Sequence, residues 1–224
     1  MKLLVPALLL LALASSCIVV LRDGDWPGFD SRTIRGSGNV VEEARTVSAF
    51  RSIELDMGAN VAVHVGREGK IVVRADDNLL PYVDTAVRNG VLVIRTHGRH
   101  SLRGNVSVEI HTPELVAFEL DGAGEVTIDG IDAERFTADL DGAGSLRASG
   151  STRTLVASID GAGSLLLSDL EAQEAMVDID GAGEIQVRAA GSLRYGIDGS
   201  GNITYIGTPR VSGEIDGVGS IRAR

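Results

Sequence analysis

Apolar and polar residues alternate with a period of two along most of this chain, and over its last hundred or so residues the alternation is itself repeated. Each repeat carries a short phrase: Asp-Gly-Ala-Gly beginning at Asp121, Asp141, Asp160 and Asp180, then Asp-Gly-Ser-Gly at Asp198 and Asp-Gly-Val-Gly at Asp216. Successive Asp residues lie 20, 19, 20, 18 and 18 positions apart. The residue before each Asp is Leu120, Leu140, Ile159, Ile179, Ile197 or Ile215, and the fifth residue after it is Val126, Leu146, Leu165, Ile185, Ile203 or Ile221. Polar residues such as Glu119, Asp139, Asp178, Thr127 and Gln186 separate these columns. Such alternation is that of half-buried β-strand. Each unit therefore reads as strand, Gly-rich turn, strand, loop. A period this short leaves no room for two helices and suits one coil of an all-β parallel solenoid, whose coils bury their apolar faces by stacking.

The turn-forming residues are the six Asp and the glycines after them: Gly122 and Gly124, Gly142 and Gly144, Gly161 and Gly163, Gly181 and Gly183, Gly199 and Gly201, Gly217 and Gly219. A sharp corner needs positive φ, which glycine adopts at little cost. The small residues between the glycines (Ala123, Ala143, Ala162, Ala182) are expected to point inward where the sheets converge. Aligned coils would set the Asp carboxylates ~5 Å apart, where they repel by roughly 1 kcal/mol in water. Two offsets are open. Each Asp could accept hydrogen bonds from turn amides, or a cation such as Ca²⁺ could lie along the column, which requires six to eight oxygens. The nonapeptide repeat of calcium-binding β-rolls is absent.

The first half is β-rich but less regular. Ser52–Asp56, Met57-Gly58-Ala59 and Asn60–Val65 read as strand, turn and strand, a degenerate early copy of the later unit. Lys70–Arg74, Val91–Arg95 and Val106–His111 are further strands, and Arg88-Asn89-Gly90 is a hairpin turn. Asp76–Val83 is expected to form one helical turn with an acidic cap.

The leader has its own pattern. Met1-Lys2 is a positive start, Leu3–Leu13 an apolar run, and Leu13-Ala14-Ser15-Ser16-Cys17 follows. This resembles a bacterial lipoprotein signal, with Ala14 where that pattern prefers Leu. The resemblance implies acylation of Cys17. Ile18 after it is not the Asp that holds lipoproteins at the inner membrane, so the outer membrane is favoured. Cleavage after Ala14, or a retained anchor over Leu3–Leu21, are the competing readings. Cys17 is the sole cysteine, so no intrachain disulfide forms. The organisation read from the chain is a signal segment over 1–17, a linker over 18–35 carrying Trp26 and Phe29, and one domain over 36–224. Within that domain, 36–115 holds degenerate coils and 116–224 the regular ones.

The runs Gly36-Ser37-Gly38-Asn39, Arg45-x-x-x-x-Phe50-x-x-Ile53, Val72-x-x-x-Ala75-Asp76-Asp77-Asn78-Leu79-Leu80 and Asn89-Gly90-x-Leu92-x-Ile94, with the Gly-x-Gly turns, resemble the bacterial "putative auto-transporter adhesin, head GIN domain" family. The resemblance implies a right-handed β-helix in the cell envelope, an adhesin-like role, and no catalytic residues to carry over.

Net charge is −10, with 4% aromatics and 28 glycines. An acidic balance argues against nucleic-acid partners and against adsorption to anionic headgroups. His97 and His100 share a turn without an evident third ligand, and His64 faces outward beside Val63 and Val65. No metal site or other cofactor is indicated. The Asp139/Asp141 and Asp178/Asp180 pairs recur with the repeat, whereas a catalytic pair should break it. Tyr195 and Tyr205 fall in apolar columns, so no ladder of exposed aromatics offers sugar-stacking sites. The reading is a non-enzymatic envelope protein that binds or scaffolds, its partner a surface glycan or protein. The alternative is a carbohydrate-binding or polysaccharide-cleaving β-helix. The strand ending at Arg224 presents an edge that Arg222 and Arg224 blunt or that a second copy pairs with.

Overall fold

The alternating segments form strands throughout the computed structural model, which describes residues 32–224. The signal segment, Cys17 and the linker up to residue 31 lie outside the described residues. Strands β1 (Arg32–Arg35), β2 (Val40–Arg45), β3 (Ser52–Asp56), β4 (Asn60–Val65) and β5 (Lys70–Asp76) lead to a 3₁₀ turn at Leu80–Tyr82. Strands β6 (Val83–Arg88), β7 (Val91–Thr96), β8 (His100–Arg103) and β9 (Ser107–Thr112) complete the first half. Then come β10 (Ala117–Gly122), four long strands β11 (Glu125–Gly142), β12 (Ser145–Gly161), β13 (Ser164–Gly181) and β14 (Glu184–Gly199), and finally β15 (Asn202–Ile206), β16 (Arg210–Gly217) and β17 (Ser220–Ala223). No helix among the described residues is long and apolar enough to cross a membrane.

The regular half is a parallel β-solenoid. Each long strand is nearly a whole coil, paired in register with the next: Leu120 opposite Leu140, Leu140 opposite Ile159, Ile159 opposite Ile179, Ile179 opposite Ile197. These rungs and the ladder of Val126, Leu146, Leu165, Ile185 and Ile203 are buried, and they form one continuous core with Phe118 and Phe136. Tyr195 and Tyr205 are partly buried against that core. The expected loop between the two strands of a coil is not found in the four long strands, although residues 207–209 keep it between β15 and β16. The chain instead bends within the ladder, at register shifts between Ile128 and Ile131, Arg147 and Ser149, and Leu167 and Glu171. Bending while still paired leaves few backbone groups without partners, which a narrow stack favours over an excursion.

The two glycines of each corner act differently. The first has positive φ, from +122° at Gly199 to +151° at Gly122, a region other residues avoid. The second is excluded from bulk by packing: a Cβ on Gly163 would strike Leu140 and lie 2.6 Å from the Gly144 carbonyl oxygen. The alanines between them point outward, contrary to expectation, with Ala123, Ala143, Ala162 and Ala182 all exposed. The inward-facing corner positions are the glycines, because the coil is narrowest there.

Winding in the first half is not sequential. β3 and β4 stack directly under β10 and β11, with Leu55 opposite Leu120 and Asn60 opposite Glu125. On their other side lie β7 and β9, which follow them in the chain. Antiparallel pairs β2–β5, β5–β9 and β6–β7 extend this end of the stack. The β6–β7 hairpin turns through Asn89 (φ 52°) and Gly90 (φ 80°), the pair of positive angles that a two-residue hairpin requires.

The 3₁₀ turn begins from Leu79 with no side-chain cap. The acidic cap expected there is not formed, and Asp77 holds a different segment instead. Its carboxylate accepts from Ser37 Oγ at 2.6 Å and Asn39 Nδ2 at 2.9 Å. Asn78 Oδ1 accepts from the Ser37 amide, and its Nδ2 donates to the Arg35 carbonyl, both at 2.9 Å. The Gly36-Ser37-Gly38-Asn39 and Asp76-Asp77-Asn78 motifs are thus two halves of one clamp. The two donated bonds hold the Asp77 carboxyl below its ordinary range.

Candidate functional site

The outward faces inherit the register of the rungs. On one face, Asp121, Asp141, Asp160, Asp180, Asp198 and Asp216 are successive cross-strand partners, all exposed. A second column runs beside it: Glu54, Glu119, Asp139, Ser158, Asp178, Gly196 and Glu214. The turn amides are not spent on the Asp side chains, as the sequence suggested. The Ala143, Ala162 and Ala182 amides donate to the Gly122, Gly142 and Gly161 carbonyls of the coil beneath at 3.1, 2.9 and 2.8 Å. Among the described residues, the amides that donate to side chains are those of Ser37 and Asn39, far from these six carboxylates. The six carboxylates are exposed, and between exposed charges repulsion is weak in water and screened by salt. Among the described residues, no group of three or more acidic or histidine ligand atoms converges along this column, whereas calcium needs six to eight oxygens around one point. Glu119 sits where both columns meet. Its carboxyl is raised above the ordinary range, by partial burial first and then by Glu54, Asp139, Asp121 and Asp141. Ser158 relieves the neighbouring crowding by donating its hydroxyl to Asp139.

A different chemistry lies on the sheet formed by β2, β5, β9, β4 and the start of β11. An open groove of about 450 Å³ crosses it, lined by Asn60, Ala62, His64, Arg74, Glu109 and Thr127 among others. His64 and His111 are cross-strand partners, their rings edge to face at 5.0 Å. His64 Nδ1 lies 2.7 Å from Asp129 Oδ1, and His111 Nε2 lies 3.0 Å from Glu109 Oε1. This hydrogen bond from His111 is the main reason the Glu109 carboxyl is lowered, with partial burial opposing it and Lys70 and Arg74 adding to it. Arg74 is itself paired with Glu42 at 2.7 Å.

Sequence reasoning placed His64 outward but did not find Glu109, His111 or Asp129. The signal was available: Asn60–Val65 and Ser107–Thr112 have the same alternation, and laying one on the other puts the two histidines in one row. His97 and His100 do not converge. His97 pairs with Asp84 at 2.9 Å, and His100 begins β8 with its ring edge-on to Tyr82. In the last coil, Val211, Ile215 and Val218 are exposed, Val218 by 83%.

No curated protein matches this chain. Several solved structures share its fold. A putative adhesin from Bacteroides fragilis NCTC 9343 aligns with a TM-score of 0.70 at 20% identity, covering 85% of this chain and 100% of its own. A putative lipid binding protein from Parabacteroides distasonis ATCC 8503 aligns with a TM-score of 0.59 at 22% identity, covering 86% and 100%. A putative adhesin from Parabacteroides merdae ATCC 43184 gives 0.54 at 18% identity, covering 86% and 99%. At these identities the likeness is one of fold. Residues 49–209 match the family model described as "putative auto-transporter adhesin, head GIN domain", and with most of the solenoid inside that match, the chain belongs to this family.

Proposed function

We propose that this protein is a non-enzymatic, adhesin-like binding protein of the bacterial cell envelope, carried on a lipid at Cys17 in the outer membrane. The observation that supports this reading best is the register of the outward columns. Six coils repeat one column of Asp without a break. A catalytic centre would need one coil to differ; an extended contact surface needs all of them alike. A face of stacked carboxylates fits a basic protein surface better than an anionic polysaccharide. The aliphatic rungs fill the interior, so the lipid binding named for one structural neighbour would have to occur on an outer face here.

The test is surface binding of the purified protein to arrayed basic and acidic proteins and glycans. Saturable binding to basic proteins is expected, weakened by 0.5 M NaCl and by the triple change D141N/D160N/D180N. Shortening of any polysaccharide on the array would overturn the non-enzymatic reading. Mass spectrometry of the mature N-terminus tests the anchor: an acylated Cys17 supports it, and an unmodified start at Ser15 refutes it.

A further inference from the structure

We infer that His64, Glu109 and His111 bind a divalent transition-metal ion, zinc by the character of the donors, and that Asp129 orients His64 for it. The backbone places the donors. His64 and His111 face each other across the β4–β9 pair, and Glu109 lies two residues before His111 on the same face of β9. All three stand on strands in mid-sheet, which hold side chains more firmly than loops do. Each offers a ligand atom within 4.8 Å of the other two. Zinc holds nitrogen and oxygen at ~2.0–2.2 Å, so ligand atoms on a tetrahedral ion stand roughly 3.4 Å apart. His111 Nε2 and Glu109 Oε1, 3.0 Å apart, are already that close; metal binding replaces the proton between them, which moves to Nδ1 or leaves to solvent.

The donor set is two neutral imidazoles and one carboxylate, which suits zinc and leaves a fourth position for water or a ligand. His64 and Glu109 line the open groove, which gives such a ligand access. The contact to Asp129 adds an independent argument. With Nδ1–H donating to the carboxylate at 2.7 Å, the lone pair of His64 is on Nε2, free to ligate; this is the outer-shell arrangement that fixes tautomer and ring angle in metal sites. Exposure is intermediate, at 28% for His64 and 19% for His111, enough for an ion to enter. Lys70 lies across from His111 and opposes a cation, and the Glu109 and Asp129 carboxylates beside the two histidines offset it.

The experiment titrates untagged, EDTA-dialysed protein with ZnCl₂ by calorimetry and with CoCl₂ by visible absorption. One zinc per chain and the intense visible bands of four-coordinate cobalt are expected. His64→Ala and His111→Ala should each weaken zinc binding at least 100-fold. Asp129→Asn should weaken it 10- to 100-fold, as loss of an outer-shell partner does. His97→Ala should change nothing. Circular dichroism checks that each variant is folded, and Glu109→Gln, which keeps side-chain shape, replaces any that is not. Absence of zinc binding, or binding that survives loss of both His64 and His111, overturns the assignment.

Discussion

Exchanging bulk between neighbouring corner positions separates the two kinds of small residue in the turn. Gly163→Ala adds a Cβ that meets Leu140 and lies 2.6 Å from the Gly144 carbonyl oxygen. That oxygen already accepts the Ser164 amide at 3.0 Å, so the strand cannot shift without straining the ladder. Overpacking costs ~1–3 kcal/mol and the weakened hydrogen bond about 1 kcal/mol. Restricting the unfolded chain returns ~0.4–1 kcal/mol. The net loss is about 1–3.6 kcal/mol, a fall in Tm of roughly 2–14 °C for a domain of this size. Ala162→Val, one residue earlier, points into solvent and should stay within about 0.5 kcal/mol of the parent. The last coil already carries Val218 at the matching position. Thermal melts followed by circular dichroism measure both. A Gly163→Ala protein that melts with the parent, or an Ala162→Val protein that loses as much, would refute the inward-glycine geometry.

Three further outcomes follow from specific contacts. Phe136 is fully buried among the rungs, so Phe136→Ala should cost ~3–5 kcal/mol, read as a lower urea midpoint. Glu119 has a raised carboxyl pKa, so the folded state binds its proton more readily, and ionisation opposes folding as pH rises above the ordinary value of 4.5. Glu119→Gln should therefore raise Tm slightly at pH 7, less in high salt, and not at all well below pH 4.5. Asp77 runs the other way: its lowered carboxyl contributes above the ordinary 3.8 and loses that contribution as pH falls through the depressed value. Asp77→Asn should speed hydrogen exchange at the Ser37 and Asn39 amides, and unchanged rates would show that the clamp does not order that segment.

The regular coils were legible because the period is short and the rungs are aliphatic at every repeat; the Asp columns fall into register without help from structure. The alternation also carried the answer that was misread. Counting by twos from Leu120 through Gly122 and Gly124 to Val126 gives an unbroken inward row, which leaves Ala123 outside. Treating the turn as an interruption of the strand hid this. The loop missing from the four long strands has the same origin, since there the chain turns its other corners without leaving the ladder. The histidine cluster was harder to see. His64 and Asp129 are 65 positions apart, and β4 meets β9 and β11 only because the stack is not wound in chain order. A clamp between residues 37–39 and 77–78 could be suspected from two polar motifs, but nothing local says that they touch.

The account rests on neighbouring coils lying in register, and a cysteine pair across one rung reads that directly. Thr137 and Val156 are cross-strand partners on adjacent coils. In a Cys17→Ser background, Thr137→Cys with Val156→Cys should form a disulfide nearly completely under mild oxidation, since partners in a ladder are ~5 Å apart. Thr137→Cys with Ser158→Cys, two residues out of register and ~8 Å apart, should stay reduced. Equal or faster bridging in the offset pair would contradict the stacking on which the outward columns depend.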